Sequence, residues 1–172
     1  ASEKIMDIAV PERAEYIRVI LCELNRIASH MLFYGVYGLD AGAMTPMLYA
    51  FREREKVQKL FESVTGARLM HNYIRIGGVK EDLPSDFQER LKNLLDDLKK
   101  GIDECDQLLS QNEMFLARTK GVGVISGADA VDFGVTGPTL RASGVAEDVR
   151  VTDTYSIYDR FDFGIPVGTF GD

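Results

Sequence analysis

A mainly α-helical fold is predicted by three observations. Two long apolar patterns with three-and-four spacing, one ending near residue 40 and one beginning near residue 85, each describe one face of a helix. A Pro-initiated, charge-rich segment lies between them. From Gly121 onward Gly, Thr, Ser and Pro become frequent and long helical periodicity disappears. The expected organisation is a helical bundle core over residues 1–120. An irregular Gly-rich tail over 121–172, with at most short strands, completes one domain.

Pro11 opens the first helix where a missing amide donor costs little, with Glu12 and Glu15 favourable near the N-terminus. Ile17, Ile20, Leu21, Leu24, Ile27, Ala28 and Met31 form its apolar face, and the pattern runs on toward Leu39. Gly35 and Gly38 lower helix propensity near its end. Thr45-Pro46 is expected to be the N-cap and first residue of a second helix with Leu48, Phe51, Leu60, Phe61 and Val64 inward, stopped by Thr65-Gly66. A short segment follows from about Ala67 to Arg75, ended by Gly77-Gly78.

Ser85 and Gln88, after Pro84, carry a capping-box signature. Behind them Phe87, Leu91, Leu94, Leu95, Leu98, Ile102, Cys105, Leu108 and Leu109 make the cleanest amphipathic helix of the chain. This helix, expected over 85–111, should lie antiparallel against the first. Asn112 is expected to cap a short helix through Arg118. In the tail, Ser126–Phe133 is expected to be helical, and Asp148–Thr152 and Ile157–Phe163 extended. A tail of loops is unusual in a self-contained domain, so it is expected to pack across the helices or against neighbours.

At 172 residues the chain can bury a sizeable core. No apolar run approaches the roughly 20 residues that span a bilayer, and no basic segment precedes an apolar one as in a secretory signal. A net charge of −7, with no stripe of Lys and Arg, argues against nucleic-acid binding. The cysteines, Cys22 and Cys105, form no CxxC pair, so no zinc or iron–sulfur centre is expected from this chain alone. Both are expected to be reduced core or boundary residues, in keeping with a cytoplasmic setting. Gly77-Gly78 and Gly121-Val122-Gly123 lack the strand–turn–helix context and the Lys of a phosphate loop.

Several blocks, in one order, carry a resemblance. They include Arg26-Ile27-Ala28-Ser29-His30, Leu39-Asp40 through Thr45-Pro46, Phe51-Arg52-Glu53-Arg54-Glu55 and Tyr73-Ile74-Arg75-Ile76-Gly77-Gly78-Val79. Gly121-Val122-Gly123-Val124, Leu140-Arg141-Ala142-Ser143-Gly144-Val145 and Tyr158-Asp159-Arg160-Phe161-Asp162-Phe163 follow. Together they resemble the central part of the hydrogenase-large-subunit-like, quinone-site component of respiratory complex I, the NADH:quinone oxidoreductase. The chain, without an initiator Met and stopping at Gly171-Asp172, is expected to be the middle portion of that longer subunit.

The resemblance implies an antiparallel helix bundle of the nickel–iron hydrogenase large-subunit type that has lost its metal centre. It implies a place in the peripheral arm, on the cytoplasmic face of the inner membrane, beside the subunit holding the terminal [4Fe-4S] cluster. Quinone would bind at the interface between these subunits, and this chain would bind no cofactor and no metal itself. Contact with the membrane would come only through the complex, and the fragment alone should be inactive and free of iron. Two other classes share some of these features: the large subunit of a membrane-bound hydrogenase or deazaflavin-dependent dehydrogenase, and an isolated helical interaction domain.

Asp40 matches the family aspartate implicated in proton delivery behind a quinone-binding histidine, which lies N-terminal to these residues. Quinone reduction takes two electrons and two protons, and an Asp paired with His holds the imidazole in one tautomer and stabilises its charged form. The structural alternative is that Asp40 is a solvated helix-end residue, or caps the helix beginning at Thr45-Pro46 or its linker. Arg26, His30 and Thr45 are candidates for the polar network around the quinone site, although a hydrogen-bonded core histidine is the plainer role for His30. Arg52, Glu53, Arg54 and Glu55 are expected to make structural ion pairs, with Arg141 and Arg160 as candidate anchoring partners.

One departure from the family falls at Met70, where many members carry a titratable histidine beside the terminal cluster. His71 follows it, and a one-residue step turns a helical side chain by about 100°, which makes His71 a poor substitute. The departure favours a low-potential quinone such as menaquinone over ubiquinone.

Overall fold

The computed structural model describes residues 2–168. Its elements are α1 (Ser2–Ile5), α2 (Glu12–Asp40), α3 (Met44–Thr65), β1 (Ile74–Arg75), β2 (Gly78–Val79) and α4 (Phe87–Cys105). A π-helical turn (Asp106–Ser110), α5 (Glu113–Thr119), α6 (Gly127–Asp132), α7 (Gly137–Ala142), α8 (Val149–Thr152) and a 3₁₀ turn (Tyr158–Arg160) follow. The chain divides into two compact units, residues 1–115 and 116–172. Among the described residues no helix is long and apolar enough to cross a membrane.

In the first unit α2, at 29 residues, runs about 43 Å at 1.5 Å per residue. The turn over residues 41–43 folds α3 back along it. Ile17, Leu21, Leu24 and Ala28 of α2 meet Val57, Leu60, Phe61 and Val64 of α3, and Phe87, Leu94 and Leu98 of α4 close the cluster. Leu48, expected inward, is 61% exposed. Gly35 and Gly38 serve close packing rather than weakening the helix. A Cβ on Gly35 would lie 3.2 Å from the Met47 Cα, and one on Gly38 would lie 3.2 Å from the Pro46 Cβ. The backbones of α2 and α3 therefore meet where a side chain would hold them apart.

Helix α4 packs chiefly on α3, not on α2 as expected. Arg52 pairs with Glu104 and Lys56 faces Asp97, so the two helices run antiparallel. Helix α4 therefore runs parallel to α2, because α3 intervenes as the middle member. The amphipathic stripe of α4 shows a buried face but not which neighbour covers it.

Helix starts differ from expectation for a common reason. Ala43 precedes α3 and Asp86 precedes α4, neither with a side-chain cap. Thr45-Pro46 thus sits inside the first turn of α3, and the Ser85/Gln88 pair forms no capping box. The predicted stops fare better: Gly66 ends α3 at φ +76°, its amide donating to the Glu62 carbonyl at 2.9 Å. The segment after it becomes the β1–β2 hairpin. Arg18 ties this hairpin down, donating to the Gly78 and Arg75 carbonyls and pairing with Glu3 at 2.6 Å. Arg18 and the Gly77 amide hold the Glu3 carboxyl well below the usual carboxylate range, at about 2.

The second unit is built from very short helices that helical periodicity cannot reveal. Ser126 caps α6, accepting from the Asp129 amide at 3.1 Å. Gly134 closes α6 at φ +70°, with Val135 N–H donating to the Ala130 carbonyl. The segments expected to be extended are not: Val149–Thr152 is helical and Tyr158–Arg160 is a 3₁₀ turn. The reason is Asp148, whose carboxylate caps α8 through the Arg150 amide at 3.0 Å. Among the described residues Ala130, Leu140, Ile157 and Tyr158 are the buried apolar ones of this unit.

Asp148 is itself buried and bonded by Arg150 at 2.7 and 2.9 Å, with Arg141 at 3.5 Å. The Arg150 hydrogen bond, outweighing burial, lowers its carboxyl to about 2. A depressed carboxylate contributes stability above its unfolded pKa, near 4, and that stability is lost as pH falls through about 2. Asp148→Asn is therefore expected to reduce amide-exchange protection around Val151 and Thr152 at neutral pH. It should also remove the acid-dependent part of that protection between about pH 4 and about pH 2.

Candidate functional site

The candidate site is the turn between α2 and α3, which carries Asp40. Helix α2 ends in a Schellman motif. Ala43 N–H donates to the Gly38 carbonyl at 2.8 Å and Gly42 N–H to the Leu39 carbonyl at 2.9 Å. Gly42 supplies the left-handed residue this motif requires, at φ +91°. Asp40 is the last residue of α2, so its position on the turn is fixed by backbone hydrogen bonds rather than by its own side chain.

The Asp40 carboxylate is exposed and makes no hydrogen bond or ion pair among the described residues. It does not cap α3, whose N-cap is Ala43; as an exposed last residue of α2 it matches the solvated helix-end alternative in position. A negative charge at a helix C-terminus is also unfavourable toward the helix dipole, by about 0.3–1 kcal/mol. Along the chain it is flanked by Tyr37, Leu39 and Met44, which are 42, 41 and 64% exposed.

The other candidates are distributed. Thr45 is exposed in the first turn of α3, across the turn from Asp40. His30 and Arg26 lie on α2 about 15 and 21 Å along the axis from Asp40, at 1.5 Å per residue. His30 is exposed rather than enclosed in the bundle, and Arg26 pairs with Glu23 at 3.2 Å.

The charge run on α3 is partly internal. Glu53 is fully buried, with Arg52 Nε at 2.6 Å and Lys56 Nζ at 2.8 Å. Its carboxylate fills a notch in α4: a Cβ on Gly101 would come within 2.4 Å of the Glu53 Cδ. Arg52 spans to Glu104 and lies over the Tyr49 ring at 4.8 Å. Glu55 pairs with Arg68, and Arg54 lies over Phe51 at 5.7 Å. The partners of the run are thus α4 and the residues just after α3. Arg141 is engaged by Asp148, and Arg160 is exposed in the 3₁₀ turn.

Met70 and His71 point to different surroundings. Met70 adopts φ +55° and is 98% exposed. His71 stacks on Phe61 at 4.3 Å, its Nδ1 at 3.3 Å from the Thr65 hydroxyl. Because that hydroxyl donates to the Ala67 carbonyl, it accepts from His71, which assigns the Nδ1–H tautomer to the neutral ring. Cys22 lines the same small cavity. Burial pushes the thiols of Cys22 and Cys105 up, which keeps both in the unreactive form.

Residues 40–172 match the family described as the 49 kDa subunit of the respiratory-chain NADH dehydrogenase. The chain belongs to that family. It is 54% identical over 99% of its length to the D subunit of the NADH-quinone oxidoreductase of Clostridium beijerinckii, covering 46% of that protein. The corresponding D subunit from Dehalococcoides mccartyi strain 195 is 56% identical over the whole chain, which covers 47% of it. Subunit 4 of the Thermus thermophilus NADH-quinone oxidoreductase is 55% identical, with 42% covered. The chain thus spans under half the length of the curated relatives it matches, as a central fragment of the 49 kDa subunit.

The sequence marks Asp40 and the charge run as candidates, whereas the contacts of Tyr34 and Gly101 emerge only from the structure. Tyr34 donates to the Cys105 carbonyl, a bond with no sequence signature. Gly101 did carry one: a glycine in the middle of the best amphipathic helix opposes propensity and needs a packing reason.

Proposed function

We propose that this chain is the core of the quinone-binding subunit of a proton-pumping NADH:quinone oxidoreductase. It supports electron transfer from the terminal [4Fe-4S] cluster of a neighbouring subunit to quinone. The supporting observation is the unpartnered Asp40 carboxylate on a rigid Schellman turn, in a chain whose relatives are named NADH-quinone oxidoreductase subunits. Asp40 delivers a proton to the quinone site, acting through a histidine supplied by residues outside this chain. Thr45 supports the site from the facing helix, and Arg26 and His30 extend the polar route along α2.

The cluster belongs to the neighbour. In this reading the chain contributes packing and proton handling to the site. The bundle is that of the hydrogenase large-subunit type, placed in the peripheral arm on the cytoplasmic face of the inner membrane. Exposed Met70, a thioether that cannot titrate, faces the cluster-bearing neighbour and favours menaquinone as substrate.

A photoreactive quinone-headgroup analogue, added to the intact complex, is expected to label residues between Leu39 and Thr45. Excess quinone should suppress that labelling. Competable labelling confined to other segments would contradict the placement of this turn at the headgroup.

A further inference from the structure

We propose that Tyr34 is a positioning residue for Asp40, acting through the π-helical turn Asp106–Ser110. This rests on the assignment of Asp40 to the proton route given above. Tyr34 lies on α2, half-buried, and its hydroxyl donates to the carbonyl of Cys105, the last residue of α4. Residues 106–110 then wind as a π turn, a form that is rare and is found mostly as single turns at functional sites. The π turn swings Leu109 inward until it is 1% exposed.

Leu109 reaches α2 one helical turn beyond Tyr34. Its Cδ2 would lie 3.2 Å from a Cβ on Gly38, so it sits directly on that glycine. The Gly38 carbonyl is the acceptor of the 2.8 Å Schellman bond from Ala43. The residue clamped by Leu109 is therefore the residue that anchors the turn carrying Asp40. Tyr34 and Leu109 grip α2 at positions 34 and 38, on one face, and Asp40 follows two residues later. The Tyr34 phenol, pushed up to about 12 by burial, stays protonated and remains a donor across the working pH range.

The side chain of Tyr34 thus does for Asp40 what Asp40's own side chain does not do: it fixes where the carboxylate sits. Without the bond, the Cys105 carbonyl loses its outside donor and the π turn is free to relax to regular helix. That change re-registers Leu109 and loosens the grip on Gly38. Positioning errors of this kind lower turnover more than binding.

The test is Tyr34→Phe, which keeps the ring and removes only the donor, made in the intact complex alone and with Asp40→Asn. The complex should assemble, quinone turnover should fall about fivefold with little change in KM, and amide exchange at Gly42 and Ala43 should quicken. The double variant should be no slower than Asp40→Asn alone, because both changes disable one group. Normal turnover in Tyr34→Phe beside an impaired Asp40→Asn overturns the positioning role and leaves the proton route standing. Full turnover in Asp40→Asn overturns the proton route itself, and this proposal with it. If Tyr34→Phe impairs assembly, Leu109→Ala is the second variant, since it removes the side chain that sits on Gly38. Unchanged Gly42 and Ala43 exchange in that variant overturns the clamp.

Discussion

Asp40→Asn, in the assembled complex, is expected to lower quinone reduction about tenfold while leaving NADH oxidation by an artificial acceptor unchanged. General acid–base groups contribute about 10²–10⁴-fold, and water together with other donors recovers part of the loss. No penalty in folding should accompany it. Asp40 caps no helix and holds no ion pair among the described residues. Removing its charge from a helix C-terminus should stabilise α2 by about 0.3–1 kcal/mol. Loss of activity with equal or better stability separates a proton carrier from a structural carboxylate. A parallel loss of assembly and activity would return Asp40 to a structural role.

Gly101→Ala is expected to be the most damaging small change to the fold of the first unit. Its new Cβ would overlap the buried Glu53 carboxylate, 2.4 Å from Cδ, and Glu53 has nowhere to move without losing Arg52 or Lys56. Overpacking of this kind costs about 1–3 kcal/mol, and burying a disturbed ion pair adds to it. Better helix propensity returns at most about 1 kcal/mol. A net loss of about 2 kcal/mol should lower the temperature of thermal inactivation of the complex by several degrees. Glu53→Ala in the same background should recover part of it, since the two side chains compete for one space. If the two changes add independently, the notch is not what holds α4 on α3.

How much was legible in the sequence follows from the length of the signals. Helices α2 and α4 carry several turns of apolar periodicity; α2 appears with its stop nearly in place, whereas α4 ends at Cys105 and the rest of the expected 85–111 helix winds as a π turn. The pairing of α4 with α3 was not legible, because an apolar stripe does not name its neighbour. Helices α6 to α8 are four to six residues long, too short for periodicity, and are held by caps such as Asp148 and Ser126. Asp148–Thr152 therefore read as extended when its first residue was in fact an N-cap. At the site, Asp40 stood out through its block of neighbours. What the sequence could not show is that its carboxylate lacks a partner, or that Tyr34 and Leu109 hold the helix beneath it. Both depend on where distant residues fold, on Cys105 for one and Gly38 for the other.

The central claim, that Asp40 gains and loses a proton as quinone is reduced, can be observed directly. Infrared difference spectra of the complex, recorded between oxidised and reduced quinone, should contain a carboxylic-acid carbonyl band. That band should shift when aspartate is labelled with carbon-13 and vanish in Asp40→Asn. A band that persists unchanged in Asp40→Asn, with quinone reduction still coupled to protonation, would contradict the account.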